Sequence, residues 1–273
     1  MVTLKEKMRQ LTSEKKGLLA TNFYNMETLH GVLTAAKETR QPVILQLTGS
    51  SIDYMGLNTA VELARTGLKD FGVEGWIHLD HGSTVELAQA CLDAGFDSVM
   101  IDGSELPFEE NVRLTREVVK RAQAYNANVE AELGYVAKLG QSHDNHAFTK
   151  AEEAKRFVDE TGVDALAVAI GTAHGFYKEE PRLQFNLLID IHATVDTILV
   201  LHGGSGVPEA QLRKAISLGI CKVNLATEIK NIFMKTLKTT LNGDEIDLRK
   251  VFPVATGRVT QLVKEKLVVV QNN

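Results

Sequence analysis

The sequence has little of what builds a protein by means other than a hydrophobic core. Only two of its 273 residues are cysteine, Cys91 and Cys221, which excludes a disulfide framework and a four-cysteine metal site. Proline is also scarce at five residues, and no Pro/Ser-rich linker or shift in composition divides the chain. With 44% hydrophobic and 24% charged residues, collagen-like, low-complexity and disordered classes are excluded as well. No apolar run approaches the ~20 residues that span a membrane. The opening residues, Met1-Val2-Thr3-Leu4-Lys5-Glu6-Lys7, lack the apolar centre of a secretory signal, so a cytoplasmic location is expected. Positive charge is not in excess either: the net charge of −5 gives no basic footprint for nucleic acid. What remains is a globular chain able to bury roughly three quarters of its unfolded surface, with residues 1–273 expected to form one domain.

Short β-branched runs alternate with longer amphipathic stretches. Strands are predicted at 17–22, 42–48, 75–79, 97–102, 128–132, 164–169, 197–201 and 219–224. Most are continuously apolar, as expected of strands buried on both faces. Helical spacing falls at 26–40, 84–94, 107–125, 150–161 and 208–218, with Gly95, Gly162 and Gly219 placed to end helices. Eight strand-then-helix units predict the α/β class and a (β/α)₈ TIM barrel. A doubly wound sheet usually has fewer strands, and no G-x-G-x-x-G follows the first strand. The polar stretch 134–149 is long for a loop in a compact domain and is expected to be a mobile active-site lid. Residues 242–273 are expected to form a C-terminal extension, helical at 257–268.

In such a barrel the chemistry gathers where the strands end. The strand ends carry Asn22, Thr48, Asp80-His81, Asp102, Glu132, the segment Gly171–Gly175, the segment His202–Gly206, and Asn224 with Ala226-Thr227. Polar strand ends are ordinary, and that accounts for Asn22 and Thr48. It accounts less well for three histidines. His81, His174 and His202 would converge over the barrel mouth, and three imidazoles with one open position suit a catalytic Zn²⁺. A single histidine at such a place is more often structural, so the inference depends on the three sharing one rim.

The segments His202-Gly203-Gly204-Ser205-Gly206 and Asn224–Thr227 follow the last two strands. Barrel enzymes commonly hold a phosphate there on backbone N–H groups and a helix N-terminus. The bland alternative is a plain glycine turn. Lys178 adds positive charge nearby, unless it is simply a solvated lysine. Asp80, beside a candidate ligand, suits a general acid or base, or a group that orients the ligand. Glu130 and Glu132 are two apart and share one strand face, and one of them can be partnered within the barrel.

These segments carry a resemblance. The stretches His78–Gly82 (HLDHG), 97–102 (DSVMID), 130–134 (EAELG), 168–175 (VAIGTAHG), 200–206 (VLHGGSG) and 219–228 (GICKVNLATE) resemble the class II, zinc-dependent ketose-bisphosphate aldolases over nearly the whole chain. The likeness is greatest to the branch with tagatose-bisphosphate and the shorter fructose-bisphosphate aldolases. It implies His81, His174 and His202 as zinc ligands and Asp80 as the acid–base group at the C4 oxygen. It implies Glu132 as a carboxylate near the metal. Gly175, Lys178, Gly203, Ser205, Asn224 and Thr227 match positions that bind the dihydroxyacetone phosphate half, with Asn22 near the substrate. Arg258 matches an arginine that reads the far phosphate, often from a neighbouring subunit. A monovalent cation (Na⁺ or K⁺) near the phosphate and a homodimer or homotetramer are implied too.

Three positions depart from the family. After EAELG the usual G-G-x-E-D is replaced by Gly134–Ser142 without a glutamate, leaving Asp144, His143, His146 or another group to act as the base. Asp53 stands where a lysine usually precedes the tyrosine, and Ala226 follows the tagatose-type branch. The expected reaction is a reversible retro-aldol cleavage of a ketose (bis)phosphate to dihydroxyacetone phosphate and an aldehyde such as glyceraldehyde 3-phosphate. Tagatose- and fructose-1,6-bisphosphate are the expected substrates. The rivals are an aldolase for another ketose 1-phosphate, a metal-dependent isomerase or epimerase, and a non-catalytic subunit of an aldolase complex.

Overall fold

The computed structural model describes residues 2–134, 136, 148–177, 179–241 and 244–271. Eight parallel strands close into a barrel in sequence order. They are β1 Leu18–Asn22, β2 Val43–Thr48, β3 Gly75–Gly82, β4 Ser98–Ile101, β5 Asn128–Leu133, β6 Ala165–Val168, β7 Ile198–Leu201 and β8 Ile220–Leu225. Each lies within two or three residues of its expected place. Around them run α1 Leu4–Ser13, α2 Met26–Thr39, α3 Gly49–Met55, α4 Leu57–Phe71, α5 Val85–Asp93, α6 Phe108–Ala122, α7 Ala151–Thr161, α8 Phe185–Thr194, α9 Glu209–Ser217, α10 Thr227–Thr240 and α11 Leu248–Gln271. No described helix is long and apolar enough to cross a membrane.

The helical spacing in the sequence does not single out α1, α3, α4, α8 or α10. In α1 only Leu4, Met8 and Leu11 are buried, a stripe too sparse to stand out in a polar helix. The C-terminal helix is longer than the expected 257–268 because it accommodates Pro253. That proline lies in the second turn, where its missing N–H removes one bond without ending the helix. On the outside, α11 packs closely along α2: a Cβ at Gly31 would lie 2.7 Å from Val259 Cγ1.

Two cores result. The larger lies between strands and helices. The smaller fills the foot of the barrel with Leu18, Ala20, Ile44, Trp76, Ala165, Ala167, Ile198 and Val200. Leu4, Met8 and Leu11 of α1 close it from below. Side chains alternate along a strand, so the inward positions continue upward as Asn22, Gln46, His78, Asp80, Glu130, Glu132 and Asn224, which meet each other or their inward neighbours. The barrel is therefore apolar at its foot and polar towards the C-terminal ends of its strands.

Candidate active site at the barrel mouth

Asp80 is 5% exposed, and three side-chain amides face it. Asn22 Nδ2 donates to Oδ2 at 2.9 Å, while Gln46 Nε2 and Asn224 Nδ2 donate to Oδ1 at 3.1 and 3.3 Å. With the amide nitrogens turned to the carboxylate, the oxygens of Asn22, Gln46 and Asn224 are buried without a hydrogen bond in the protein. Burial alone would favour the protonated acid. The charges of His81, His202 and Lys222 and the Asn22 bond outweigh it and hold Asp80 below the usual carboxylate range. Asp80 thus rests as a base.

His81 follows directly, and strict alternation would turn it away from the mouth. A register irregularity between Leu79 and Gly82 breaks the β3–β4 pairing there, and His81 takes a left-handed backbone, φ +51°. Such a conformation costs a non-glycine residue about 1–3 kcal/mol and concentrates at functional sites. It brings the ring to the mouth, where Asp102 Oδ2 holds Nδ1 at 2.7 Å. Ser104 in turn holds Asp102 through its N–H and Oγ, at 3.1 and 2.7 Å. Burial depresses the proton affinity of His81, but Asp80 and the Asp102 bond more than compensate.

His81 Nε2 and His174 Nε2 face each other at 3.2 Å. Two nitrogens on a tetrahedral zinc with bonds of 2.0–2.1 Å stand about 3.3 Å apart. Burial first, then the positive charges of His81 and His202, push His174 down to about 3, so it is neutral as a ligand must be. His202 is fully buried on β7's end. Its Nε2 meets Glu130 Oε1 at 2.9 Å, and its Nδ1 stands 2.9 Å from Glu132 Oε2. That second pair is close but not aligned as a hydrogen bond, and both atoms are buried without one. Two lone pairs turned towards a common point have this geometry. Burial disfavours a proton on His202, yet the carboxylates on either side outweigh it and push the group up to about 10, so the second proton sits on Nδ1 between the ring and Glu132 and a metal bound at that point takes its place. One nitrogen from each of the three histidines lies within 4.8 Å of the others, and the set His81, Asp102 and Glu132 meets the same limit. Nitrogen and carboxylate donors at these separations fit zinc.

On the β6–β8 side, Gly175 and Gly203 have positive φ of +98° and +68°. A side chain at Gly203 would collide with the Ala173 backbone. Tyr177 ties the two loops: its hydroxyl donates to Gly203 O and accepts the Ala173 N–H, both at 2.8 Å. Ser205 Oγ accepts the Glu228 N–H at 3.4 Å, beside the N-terminus of α10, which begins at Thr227.

The structure thus brings Asn22, Asp80, His81, Glu132, His174, His202 and Asn224 together. Gly175, Gly203 and Ser205 lie beside them on the loops after β6 and β7, and Thr227 at the first residue of α10. Arg258 is exposed on α11 and takes part in none of these contacts. Lys178, His143, Asp144, His146 and nearly all of the 134–149 stretch lie outside the described residues. Its far end is described: Thr149 Oγ1 donates to Leu133 O and accepts the Ala169 N–H, pinning the chain across β5 and β6. Sequence reasoning assigned no role to Gln46, Asp102, Tyr177 or Lys222. Asp102 had the same signal as Asp80, a carboxylate ending a strand. Lys222 was a lysine inside a buried apolar run, which implies a buried partner.

Comparison with known proteins agrees with this geometry. The fructose-bisphosphate aldolase class-II family model matches residues 2–273. The D-tagatose-1,6-bisphosphate aldolase subunit GatY of Klebsiella oxytoca is 45% identical over 223 residues, covering 80% of this chain and 78% of that protein. The YdjI aldolase of Escherichia coli K12 has a TM-score of 0.87 at 30% identity, over 98% of this chain and 96% of that one. A putative fructose-1,6-bisphosphate aldolase from Coccidioides immitis has a TM-score of 0.88 at 27% identity, over 96% and 94%. The fructose-bisphosphate aldolase of Campylobacter jejuni, 20% identical with a TM-score of 0.86, shares the fold over 98% and 95%. The chain belongs to the class II fructose-bisphosphate aldolase family, whose members are zinc-dependent lyases of carbohydrate metabolism, and it is an aldolase.

Proposed function

We propose that the chain reversibly cleaves a ketose bisphosphate to dihydroxyacetone phosphate and glyceraldehyde 3-phosphate, with tagatose-1,6-bisphosphate foremost and fructose-1,6-bisphosphate second. The observation that carries this is the meeting of His81, His174 and His202 around one point beside a buried, ionised Asp80. The 45% identity to a tagatose-1,6-bisphosphate aldolase subunit favours the tagatose stereoisomer.

In this reading His81, His174 and His202 hold Zn²⁺ and Glu132 stands next to it. Bound there, zinc supplies a Lewis acid for the negative charge that builds on the ketose oxygens as the carbon–carbon bond breaks. Asp80 takes the C4 hydroxyl proton in cleavage and returns it in condensation. Asn22, Gln46 and Asn224 fix its carboxylate for that transfer. Gly175, Gly203, Ser205, Asn224 and Thr227, with Lys178, take the phosphate of the dihydroxyacetone half. The positive φ of both glycines and the start of α10 at Thr227 support this, since backbone N–H groups and a helix N-terminus favour an anion. Binding energy gained at the phosphate then positions the reacting carbons. Proton transfer on the dihydroxyacetone side is assigned to Asp144, and the far phosphate to Arg258 of a neighbouring copy.

A homodimer or homotetramer, a monovalent cation (Na⁺ or K⁺) at the phosphate and a cytoplasmic location complete the reading. Assembly is supported by an apolar groove of about 720 Å³ between α2, α4 and α11, with Met26, Phe71, Leu248 and Phe252 along it. The cytoplasm suits two buried, unpaired thiols, Cys91 and Cys221. The test is triose-phosphate release from a panel of ketose mono- and bisphosphates, before and after EDTA. Tagatose-1,6-bisphosphate should be cleaved fastest, EDTA should abolish the rate, and Zn²⁺ should restore it. An undiminished rate in fully demetallated protein would sink the zinc mechanism, and isomerised sugar without triose phosphate would make the chain an isomerase.

A further inference from the structure

Below the mouth lies a charged group that the proton transfers above do not use. Lys222 is 1% exposed in the middle of the barrel. A register shift between β7 and β8 pairs it with Val200, an inward position, and so turns it into the barrel. Its three ammonium protons have three acceptors: Glu130 Oε2 at 2.8 Å, Glu130 Oε1 at 3.0 Å and His78 Nε2 at 3.3 Å. His78 accepts at Nε2, so it donates from Nδ1 to Ser98 Oγ at 2.8 Å. Glu130, also 1% exposed, then gives Oε1 to His202 Nε2 at 2.9 Å. A chain of contacts thus runs from Ser98 on β4 through β3, β8 and β5 to His202, directly after β7.

The arrangement has one consequence for His202. With Nε2–H committed to Glu130, the lone pair of Nδ1 is the one that points up to Glu132 and the mouth. A ring held by a carboxylate at one nitrogen is fixed in both tautomer and orientation, and becomes a better donor at the other. Glu130 can serve as that carboxylate in an apolar interior only because Lys222 balances it.

We propose that the buried Glu130–Lys222 pair is a positioning device for His202, presetting its Nδ1 as a metal donor. This rests on His202 being a zinc ligand, as proposed above. Two variants test it: Glu130→Leu, and the charge-neutral double variant Glu130→Gln/Lys222→Met. The double variant leaves no orphaned buried charge and is expected to retain the folded stability of the metal-free chain, as replacing both members of a buried pair often does. Zinc dissociation constants are measured by chelator competition on folded protein, and the visible spectrum of the Co²⁺-loaded form reports the ligand geometry. Zinc affinity should fall about 10-fold in the double variant and up to about 100-fold in Glu130→Leu, with an altered Co²⁺ spectrum in both. An unchanged zinc dissociation constant and Co²⁺ spectrum in the double variant would overturn the proposal, whatever Glu130→Leu does. A wild-type chain that binds no zinc would instead end the reading on which the proposal rests.

Discussion

The foot and the mouth of the barrel are built from the same eight strands and share the same alternation, yet they do opposite work. At the foot the inward positions are Leu18, Ile44, Trp76, Ala165 and Val200, closed by Leu4, Met8 and Leu11 of α1. Every one of these gains by leaving water. Two or four residues further along, the inward positions are Asn22, Gln46, His78, Asp80, Glu130, Glu132, His202 and Lys222, all at most 5% exposed. Each of those loses hydration and must be satisfied by a partner. The difference teaches that the foot and the outer core hold the barrel together, while the mouth spends stability on groups fixed in place for chemistry.

Four substitutions break or sharpen this contrast, beginning with the largest effect. Asp80→Ala should lower kcat by about 10²–10⁴-fold, the usual worth of a positioned acid–base group, with zinc still bound. Loss of zinc in that variant would reassign Asp80 from proton transfer to holding the metal. At the foot, Met8→Ala should lower unfolding free energy by about 2–5 kcal/mol in urea titration. Its zinc affinity and kcat/KM should match wild type at a temperature where both are folded, and a changed kcat/KM would show that the two ends are coupled. Asp102→Asn should weaken zinc binding by about 10–100-fold by loosening His81, with a shift in thermal midpoint much smaller than that of Met8→Ala in metal-free protein. The smallest effect belongs to α1, whose capping box joins Thr3 and Glu6. Thr3→Ala should cost about 1 kcal/mol, measurable by urea titration and invisible in kcat.

Much of this is legible in the amino-acid sequence. Continuous apolar runs marked most of the eight strands because strands buried on both faces leave no alternation to misread. The three histidines, Asp80 and Glu132 could be placed on one rim because strand ends in a parallel barrel share a side. Helices were harder to see. α8 is apolar through Leu187, Leu188, Ile189 and Ile191, and a strongly apolar run has no clear helical face. The partners of the site residues were not legible at all. Asp102 is 21 residues from His81, Glu130 is 72 from His202 and 92 from Lys222. No local pattern links residues at such separations.

By itself the sequence determined which side chains would stand at the ends of which strands, since periodicity and strand length are local properties. Only the closed barrel decided how they face one another. Asp80 and His81 are neighbours that alternation would send to opposite faces, and the break in register with its left-handed turn points both into the mouth. Lys222 is charged in an apolar strand, and the shift against β7 turns it inward to Glu130. Both are departures from regular pairing, and their cost is borne by contacts that exist only once all eight strands have met.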